Sequence, residues 1–433
     1  MRKTVAMVFA GGRAEEMSVL TMRRPKAAVI FGGAYRMIDF ALTNLANTKA
    51  IENVGILTQY RPSSLVDHVG IGLAWDFVGT RRGVRFLPPY LGPDHSEWYR
   101  GTADALYQNI DFLDLHQPDD VLIVSGDHAY NMDYTALLRF HEEHAAEVTL
   151  AFTPMEQDPS RFGIAELDSE RRIVSYTEKP EHPRTNLASM TVYVFKRDVL
   201  VEELRRHAAD RDKPRSFQIY DEILPRMMAR RRTFGWVHYG PWEYARTLDA
   251  YYAAHQDLLG NKPRLDLLSW SVRTNTMTRR AAPPTPTRLF PGATVANSIV
   301  SGGCRIEGRV EGSVLSPDVT IGRGALVRDS ILWDKVEVQD GAVLDRVICD
   351  KRCIIGARAH VGVGESSPPN DEQPKSLTCG ATVLGMDVHV PQGGEIGRNC
   401  VIYPRAAEAQ LTGRISSGAT VRMPLSWYGE VMP

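Results

Sequence analysis

The chain has 433 residues, of which 43% are hydrophobic and 24% are charged, and its formal net charge at pH 7 is -1. This length is too great for one hydrophobic core and predicts at least two domains. The near-zero charge argues against a nucleic-acid or anionic-membrane partner, and no apolar run is long enough to span a bilayer.

The N-terminal part alternates predicted strands and helices. A buried strand is expected at 5–9, rather than a signal peptide, and Gly11-Gly12 ends it. Further strands are predicted at 53–58, 121–124, 148–152, 164–167, 173–177 and 191–195, and helices at 36–48, 102–115, 134–144, 198–208, 219–230 and 247–259. This alternation predicts a mostly parallel, doubly wound sheet. Ligands of such sheets bind outside the carboxyl ends of the strands, which places the binding loops at 11–21 and 126–133.

The sequence changes character after a proline-rich connector at 281–291. Aliphatic residues then recur on a six-residue register, in the runs Val314, Leu326, Leu332, Val338, Leu344, with Thr320 filling the gap, and Leu384, Val390, Ile396, Ile402. This repeat favours a parallel β-helix over a β-sandwich, with the polar segment 365–375 looping out between the two runs. We therefore expect an N-terminal domain with a doubly wound sheet at 1–262, a linker at 263–291 and a β-helix at 292–433.

Five cysteines lie in the last third of the chain, at Cys304, Cys349, Cys353, Cys379 and Cys400. Their odd number and the lack of a CxxC pair argue against a disulfide framework or a zinc site. Free thiols fit a reducing compartment, so the sequence predicts a cytoplasmic protein.

The Gly11-Gly12 turn after the first strand would let backbone N–H groups approach an anion closely. Alone, a Gly-Gly turn is weak evidence for anion binding, because it is often only a tight turn after a strand. The chain contains no GxGxxG and no GxxxxGK[ST] motif, which argues against a dinucleotide-binding dehydrogenase and a P-loop NTPase.

Several longer motifs are more specific. They are FGG at 31–33, TQY at 58–60, WYRGTADALYQN at 98–109, GDH at 126–128, EKP at 178–180 and SM at 189–190. Together, in this order, they resemble the bacterial ADP-glucose pyrophosphorylase (glucose-1-phosphate adenylyltransferase) family over nearly the whole chain. The resemblance implies a doubly wound, Rossmann-like nucleotidyltransferase domain followed by a left-handed parallel β-helix.

The resemblance also implies an activity and a set of site residues. Family members join ATP and glucose-1-phosphate, usually with Mg²⁺, and release pyrophosphate as ADP-glucose forms. Asp127 would hold the metal and act in catalysis with Lys26 and Arg13. The nucleotide would contact Gly11, Gly12, Gln59, Trp98, Tyr99, Gly101 and Thr102. The sugar phosphate would contact Glu178, Lys179, Ser189 and Tyr193, with Lys179 as the phosphate cation.

Three positions depart from the family pattern. Glu16 stands where the family has an arginine that neutralises the triphosphate, and Tyr244 stands where it has a second metal-binding aspartate. A phenol is a poor ligand for Mg²⁺. Glu243 is one residue away but should point to the opposite side of an extended segment. Thr191 replaces a glycine beside the sugar.

These departures leave an alternative open. The chain could be a weak or inactive regulatory paralog that binds nucleotide or sugar phosphate and modulates an active tetramer. A β-helix acyltransferase with His360 as its base is a third hypothesis, but it leaves the N-terminal motifs unexplained. The family resemblance implies a homotetramer or a hetero-oligomer with a paralog, under allosteric control by a metabolite.

Overall fold

Two units make up the chain, and each combines segments that are distant in sequence. The computed structural model describes residues 2–90, 98–210, 216–277, 285–366 and 368–422. The first unit contains residues 1–12 and 38–242, and the second contains residues 13–37 and 243–433. Residues 281–284 of the proline-rich connector lie outside the described residues. Within the described ranges, no helix has the length and apolar character needed to cross a membrane.

The described residues of the first unit are built on a nine-stranded sheet. Its strands are β1 (Thr4–Phe9), β2 (Ile51–Leu57), β3 (Gly83–Leu87), β4 (Asp120–Ser125), β5 (Val148–Pro154), β6 (Gly163–Leu167), β7 (Ile173–Glu178), β8 (Leu187–Lys196) and β9 (Thr233–Val237). Their order is β7-β6-β8-β4-β1-β2-β3, with β5 paired to β8 and β9 paired to β5. Strands β3, β2, β1 and β4 run parallel, as predicted, whereas β8 is antiparallel to both β4 and β5.

The helices follow the predicted positions closely. They are α1 (Met37–Asn47), α2 (Ser63–Val69), α3 (Thr102–Tyr107), α4 (Ile110–His116), α5 (Thr135–Glu143), α6 (Arg197–Ala209), α7 (Leu224–Arg230) and α8 (Leu248–Gln256). The predicted helix at 102–115 is broken at Gln108 and Asn109, and the one at 219–230 begins with a π-helical turn at Ile219–Ile223. Helix α2 and strands β3 and β9 were missed by the sequence analysis.

Burial explains why the central strands are continuous apolar runs. Val121, Leu122, Ile123 and Val124 of β4 are all fully buried, so both faces of this strand are covered. A strand covered on both faces has no polar alternation, which is the usual pattern in parallel sheets with helices on each side.

The second unit contains the predicted β-helix. Its described residues form three parallel sheets of six, seven and seven short strands. The strands lie at 288–289, 305–306, 320–321, 337–338, 354–355 and 389–390; at 294–296, 309–311, 326–328, 343–345, 360–363, 395–397 and 414–415; and at 299–300, 314–315, 331–332, 347–349, 382–384, 401–402 and 420–421. The parallel pairing within three sheets excludes the β-sandwich, and aliphatic side chains fill the interior. The polar segment at 365–375, of which residue 367 is not described, falls between the strands at 360–363 and 382–384.

Residues 13–37 form a loop that packs within this second unit. Ser316 Oγ donates to Gly33 O at 2.6 Å, Tyr251 Oη donates to Ile30 O at 2.6 Å, and Gly32 N donates to His255 Nε2 at 3.2 Å. Gly32 has φ +61°, and an added Cβ would lie 2.5 Å from Leu267 Cδ1, so this turn requires glycine. The loop is therefore tied to α8 and to the β-helix at several points.

Candidate active site

Three predicted site residues follow neighbouring parallel strands at the same offset. Phe9 of β1 pairs with Leu57 of β2 and with Ser125 of β4. Gly11, Gln59 and Asp127 each come two residues later, so they lie together at the carboxyl edge of the sheet, where ligands bind in this architecture. A Cβ on Gly11 would lie 2.8 Å from Gln59 N, whereas one on Gly12 would meet nothing within 4 Å. Gly11 is thus required by close packing, and Gly12 borders open space.

Gln59 is held in place by the backbone of Tyr99. Its side-chain amide donates to Tyr99 O at 3.2 Å and its carbonyl accepts from Tyr99 N at 2.5 Å. The Tyr99 hydroxyl donates to Leu87 O at 3.0 Å and accepts from Asn109 Nδ2 at 2.8 Å. Burial raises the pKa of Tyr99 to about 12, so this phenol stays neutral and serves as a fixed support.

The remaining residues of the predicted nucleotide pocket differ in their exposure and in their contacts within the protein. Trp98 is 68% exposed. Gly101 allows close approach, because a Cβ there would lie 2.3 Å from Phe217 O. Thr102 Oγ1 donates to Gln218 Oε1 at 3.1 Å and accepts from Ile219 N at 2.9 Å, so its hydroxyl already bonds within the protein.

Asp127 stands in the turn that follows β4. Its carboxylate accepts a hydrogen bond from Ser125 Oγ and lies 3.4 Å from His128 Nε2. The buried His128 ring packs edge-on against Trp242, with 5.2 Å between ring centroids. The Asp127 side chain is 20% exposed, so it is oriented by its neighbours and remains accessible to a ligand.

The donor set here suits a metal held jointly with a nucleotide rather than one held by protein alone. Among the described residues, no three His, Cys, Asp or Glu side chains are grouped closely enough to hold a metal ion. Mg²⁺ is commonly bound by one or two carboxylates together with substrate phosphates. The oriented carboxylate of Asp127 fits that mode.

The predicted sugar-phosphate residues cluster around β7 and β8. Tyr176 Oη donates to Glu178 Oε2 at 3.0 Å, and Lys179 Nζ lies 3.7 Å from Glu178 Oε1. Burial raises the pKa of Glu178, and the Tyr176 hydrogen bond and the charge of Lys179 oppose this rise. Burial also raises the pKa of Tyr193 to about 12, against the effect of the nearby Ser189 and Thr191 hydroxyls.

Thr191 adopts a backbone conformation that is unusual for its side chain. Its φ is +53°, and the pairing of β8 with β5 is irregular between Ser189 and Tyr193. A β-branched residue at positive φ is a genuine outlier, and such strain costs about 1–3 kcal/mol. The glycine that the family resemblance expects here would have no such strain, so this chain retains the threonine at a measurable energetic cost.

Arg13 and Lys26 belong to the second unit, as do the substituted positions Glu16 and Tyr244. Lys26 begins a short 3-10 helix, Lys26–Ala28, and its ammonium lies 3.8 Å from the centre of the Tyr244 ring. Arg246 Nε contacts Glu16 Oε1 at 3.0 Å. The sequence analysis did not single out Arg246.

Glu243, the residue before Tyr244, is paired with an arginine. Its carboxylate accepts a hydrogen bond from Arg264, which also bonds Asp257 at 2.7 Å. Burial raises the pKa of Glu243, and the charges of Arg264 and Lys26 oppose the rise. Lys26 therefore acts on Glu243 and also contacts the Tyr244 ring, and the opposite orientation of Glu243 stays a prediction.

Three further residues bear on the site hypotheses. They are His128, Tyr176 and His360. His128 contacts Asp127 and belongs to the GDH motif itself. Tyr176 bonds Glu178, and only its position two residues before that motif residue could have indicated it. His360, the hypothetical acyltransferase base, is exposed on the strand His360–Val363 of the β-helix.

The doubly wound sheet with its binding edge is the fold of a nucleotidyltransferase, and comparison with known proteins agrees. The family model described as Nucleotidyl transferase matches residues 5–261, and the model for a GlmU-like C-terminal hexapeptide region matches residues 290–374. The second match agrees with a left-handed β-helix.

Comparison with individual relatives identifies the family within the nucleotidyltransferases. A glucose-1-phosphate adenylyltransferase from Thermomicrobium roseum is 40% identical over 97% of this chain and 98% of its own length. Proteins of the same name from Desulforamulus reducens and Clostridium beijerinckii are 38% and 41% identical, over 94% and 76% of this chain and 99% and 84% of their own lengths. The chain belongs to the glucose-1-phosphate adenylyltransferase family.

Proposed function

We propose that this chain transfers the adenylyl group of ATP to glucose-1-phosphate, forming ADP-glucose for glycogen or α-glucan synthesis and releasing pyrophosphate. The observation that carries the proposal is the placement of Gly11, Gln59 and Asp127 at one edge of the sheet. Family membership supplies the substrates, since close relatives over nearly the full length carry that name.

The proposed reaction is an in-line attack by a phosphate oxygen of the sugar on the α-phosphorus of ATP. Such chemistry depends on positioning and on charge neutralisation more than on covalent help. Gly11, Gly12, Gln59, Trp98, Tyr99, Gly101 and Thr102 would hold the nucleotide. Glu178, Lys179, Ser189 and Tyr193 would hold the sugar phosphate.

Asp127, Lys26 and Arg13 are the proposed catalytic residues. Asp127 would hold Mg²⁺, which when bound supplies positive charge to the phosphates. Lys26 and Arg13 would add positive charge to the phosphates of the same reaction. Ser125, by donating to Asp127, would keep its carboxylate in one orientation.

The proposal extends to the organisation of the protein. Residues 1–262 would form the catalytic domain, 263–291 the linker and 292–433 the left-handed β-helix. The protein would work in the cytoplasm as a homotetramer, or with a paralog, under control by a metabolite.

Pyrophosphate release by the purified chain tests the function. With Mg²⁺, glucose-1-phosphate and each common NTP in turn, we expect release to be fastest with ATP. Release with another NTP would keep the reaction class and change the nucleotide. If no NTP gives pyrophosphate release but calorimetry shows that the protein binds ATP or ADP-glucose, the proposal is contradicted. The chain would then be a regulatory paralog.

A pH profile tests the role of Glu178. Because burial raises its pKa from 4.5, its carboxylate takes up a proton at a higher pH than an exposed glutamate does. We expect the KM for glucose-1-phosphate to rise as the pH is lowered through this raised pKa, by about tenfold per pH unit below it.

Glu178→Gln provides the control for that profile. The substrate phosphate also titrates near pH 6, and this contribution is common to both proteins. The difference between the two profiles isolates Glu178. Identical profiles would show that the ionised Glu178 carboxylate does not accept a hydrogen bond from the sugar hydroxyl groups of glucose-1-phosphate.

A further inference from the structure

Thr191 lies at the same edge of the sheet as the turn that carries Asp127. Strand β8 runs antiparallel to β4, and the last pair between the two strands joins Val192 to Val124. Thr191 precedes Val192 in β8, so it comes level with Ser125, the last residue of β4. Thr191 is therefore placed at the carboxyl edge of β4, which is the binding edge in this architecture.

The backbone of β8 departs from a regular strand at this point. Ser189 pairs with Phe152 and Tyr193 pairs with Leu150, so four steps along β8 face two steps along β5. Bulges are over-represented beside active sites, where they turn a side chain in a new direction. Thr191 is the only β-branched residue with a positive φ in the part of the chain that the structure describes. Backbone strain of this kind is concentrated at functional sites.

Polar groups from two strands come together beside Thr191. The hydroxyls of Ser189 and Thr191 both lie near the hydroxyl of Tyr193. The Glu178 carboxylate of β7 also acts on Tyr193, although β6 separates β7 from β8. Gly163 of β6 leaves room for this carboxylate, because a Cβ there would lie 2.8 Å from Glu178 Oε2. A carboxylate and three hydroxyls are thus grouped together.

This group of side chains suits the hydroxyl groups of a sugar. An ionised carboxylate only accepts hydrogen bonds, whereas a hydroxyl both donates and accepts them, so the group can pair with sugar hydroxyls in either sense. Ser189 and Tyr193 are buried, whereas Thr191 is partly exposed. Of the three hydroxyl residues, Thr191 is therefore the one most open to a ligand.

We infer that Thr191 determines sugar specificity, because its hydroxyl forms a hydrogen bond with one hydroxyl group of the hexose in the sugar phosphate. The inference rests on the proposed function. The glycine that the family resemblance expects at this position has neither the hydroxyl nor the strain. The threonine therefore gives this chain a contact with the sugar that a glycine side chain could not make.

Such a contact has a defined effect on the choice of substrate. A site that hydrogen-bonds a substrate hydroxyl discriminates against the analogue that lacks it, because the protein group is then left unpaired. One neutral hydrogen bond corresponds to a factor of about two to ten in kcat/KM. The 2-, 3-, 4- and 6-deoxy forms of glucose-1-phosphate each remove one hydroxyl group and so report which one is contacted.

Three substitutions at Thr191, combined with these analogues, test the inference. Thr191→Val keeps the branched shape and removes the hydroxyl. We expect it to lower kcat/KM for glucose-1-phosphate about two- to tenfold and to leave kcat/KM for one deoxy analogue unchanged, with KM for ATP unaltered. Thr191→Ser keeps the hydroxyl and should keep the preference for glucose-1-phosphate over that analogue. Thr191→Gly should lose the preference and raise the thermal midpoint, because glycine adopts a positive φ without strain.

Thr153→Val is the matched control for the loss of a hydroxyl. Thr153 is a buried threonine of β5 that pairs with Ala188, the residue before Ser189. Successive side chains of a strand point to opposite faces of the sheet, so Thr153 lies on the face opposite to Ser189. Its substitution should leave the preference among the sugar phosphates unchanged. Thermal midpoints show whether each variant is folded.

A purely structural role for Thr191 predicts a different pattern. In that case Thr191→Val would change kcat/KM by one common factor, or not at all, for glucose-1-phosphate and every deoxy analogue. That result would overturn the inference while leaving the proposed function intact.

Absence of turnover in the unaltered protein would contradict the proposed function, and calorimetry with the same sugar phosphates then decides the inference. It is upheld if Thr191→Val weakens the binding of glucose-1-phosphate about two- to tenfold relative to one deoxy analogue. It is overturned if the unaltered protein binds none of these sugar phosphates, or if all the affinities change together.

Discussion

Replacing Asp127 by asparagine is expected to lower pyrophosphate release at saturating substrates by about a thousandfold. A metal bound to a carboxylate contributes several kcal/mol of charge stabilisation in the transition state, and each 1.36 kcal/mol is a factor of ten in rate. Asparagine keeps the size and the hydrogen bond from Ser125 but removes the negative charge. We expect binding of ADP-glucose, measured by calorimetry without Mg²⁺, to remain close to normal.

Asp158→Asn is the matched control for that change. Asp158 is an exposed carboxylate that also accepts from a serine two residues away, at 2.8 Å from Ser160 Oγ. It is not among the proposed site residues, and its substitution should leave turnover unchanged. Full activity of Asp127→Asn would refute the assignment of Asp127 as the metal carboxylate.

Removing Asp350 is expected to destabilise the second unit by about 3–5 kcal/mol, which is the usual cost of leaving one partner of a buried ion pair. Arg24 Nη1 donates to Asp350 Oδ2 at 2.8 Å, and both side chains are almost completely buried. Asp350→Ala would leave the buried guanidinium of Arg24 without its carboxylate partner. The Arg24 guanidinium also lies 4.9 Å from the Trp333 ring, so tryptophan fluorescence during urea unfolding can follow the change.

Two further variants sharpen this measurement. Asp387→Ala removes the partly exposed partner of the exposed Arg352, bonded at 2.7 and 3.0 Å, and pairs open to solvent contribute about 0–1 kcal/mol. Combining Arg24→Met with Asp350→Leu replaces the buried pair by apolar groups and should recover most of the lost stability. A loss in Asp350→Ala no larger than in Asp387→Ala would show that Arg24 finds water or another acceptor.

Much of the site could be predicted because it depends on local sequence. The apolar run at 5–9 identified β1, and the alternation of strands and helices located the carboxyl edge where Gly11 and Asp127 lie. The six-residue repeat similarly identified the β-helix, since each aliphatic position fills the same interior. These features follow from periodicity, which the sequence displays directly.

Features that depend on contacts between distant residues were not predictable. The antiparallel insertion of β8 between β4 and β6 requires a pairing that no local pattern encodes, and the irregularity at Thr191 arises in the pairing of β8 with β5. The packing of 13–37 in the second unit depends on partners such as Ser316 and Asp350, far along the chain. The contact of Lys26 with Tyr244 could not be derived without this packing.

The division of the second unit between two distant segments also has a consequence for how the protein is made. Arg24 and Asp350 are separated by 326 residues. At an elongation rate of roughly 5–20 residues per second, the ribosome adds Asp350 roughly 15–65 s after Arg24. During that interval the 13–37 segment has been synthesised without Asp350, the buried acid that pairs with Arg24. A chaperone that binds nascent chains would therefore meet this segment early, and a chain released before residue 350 could not bury Arg24 against its acid.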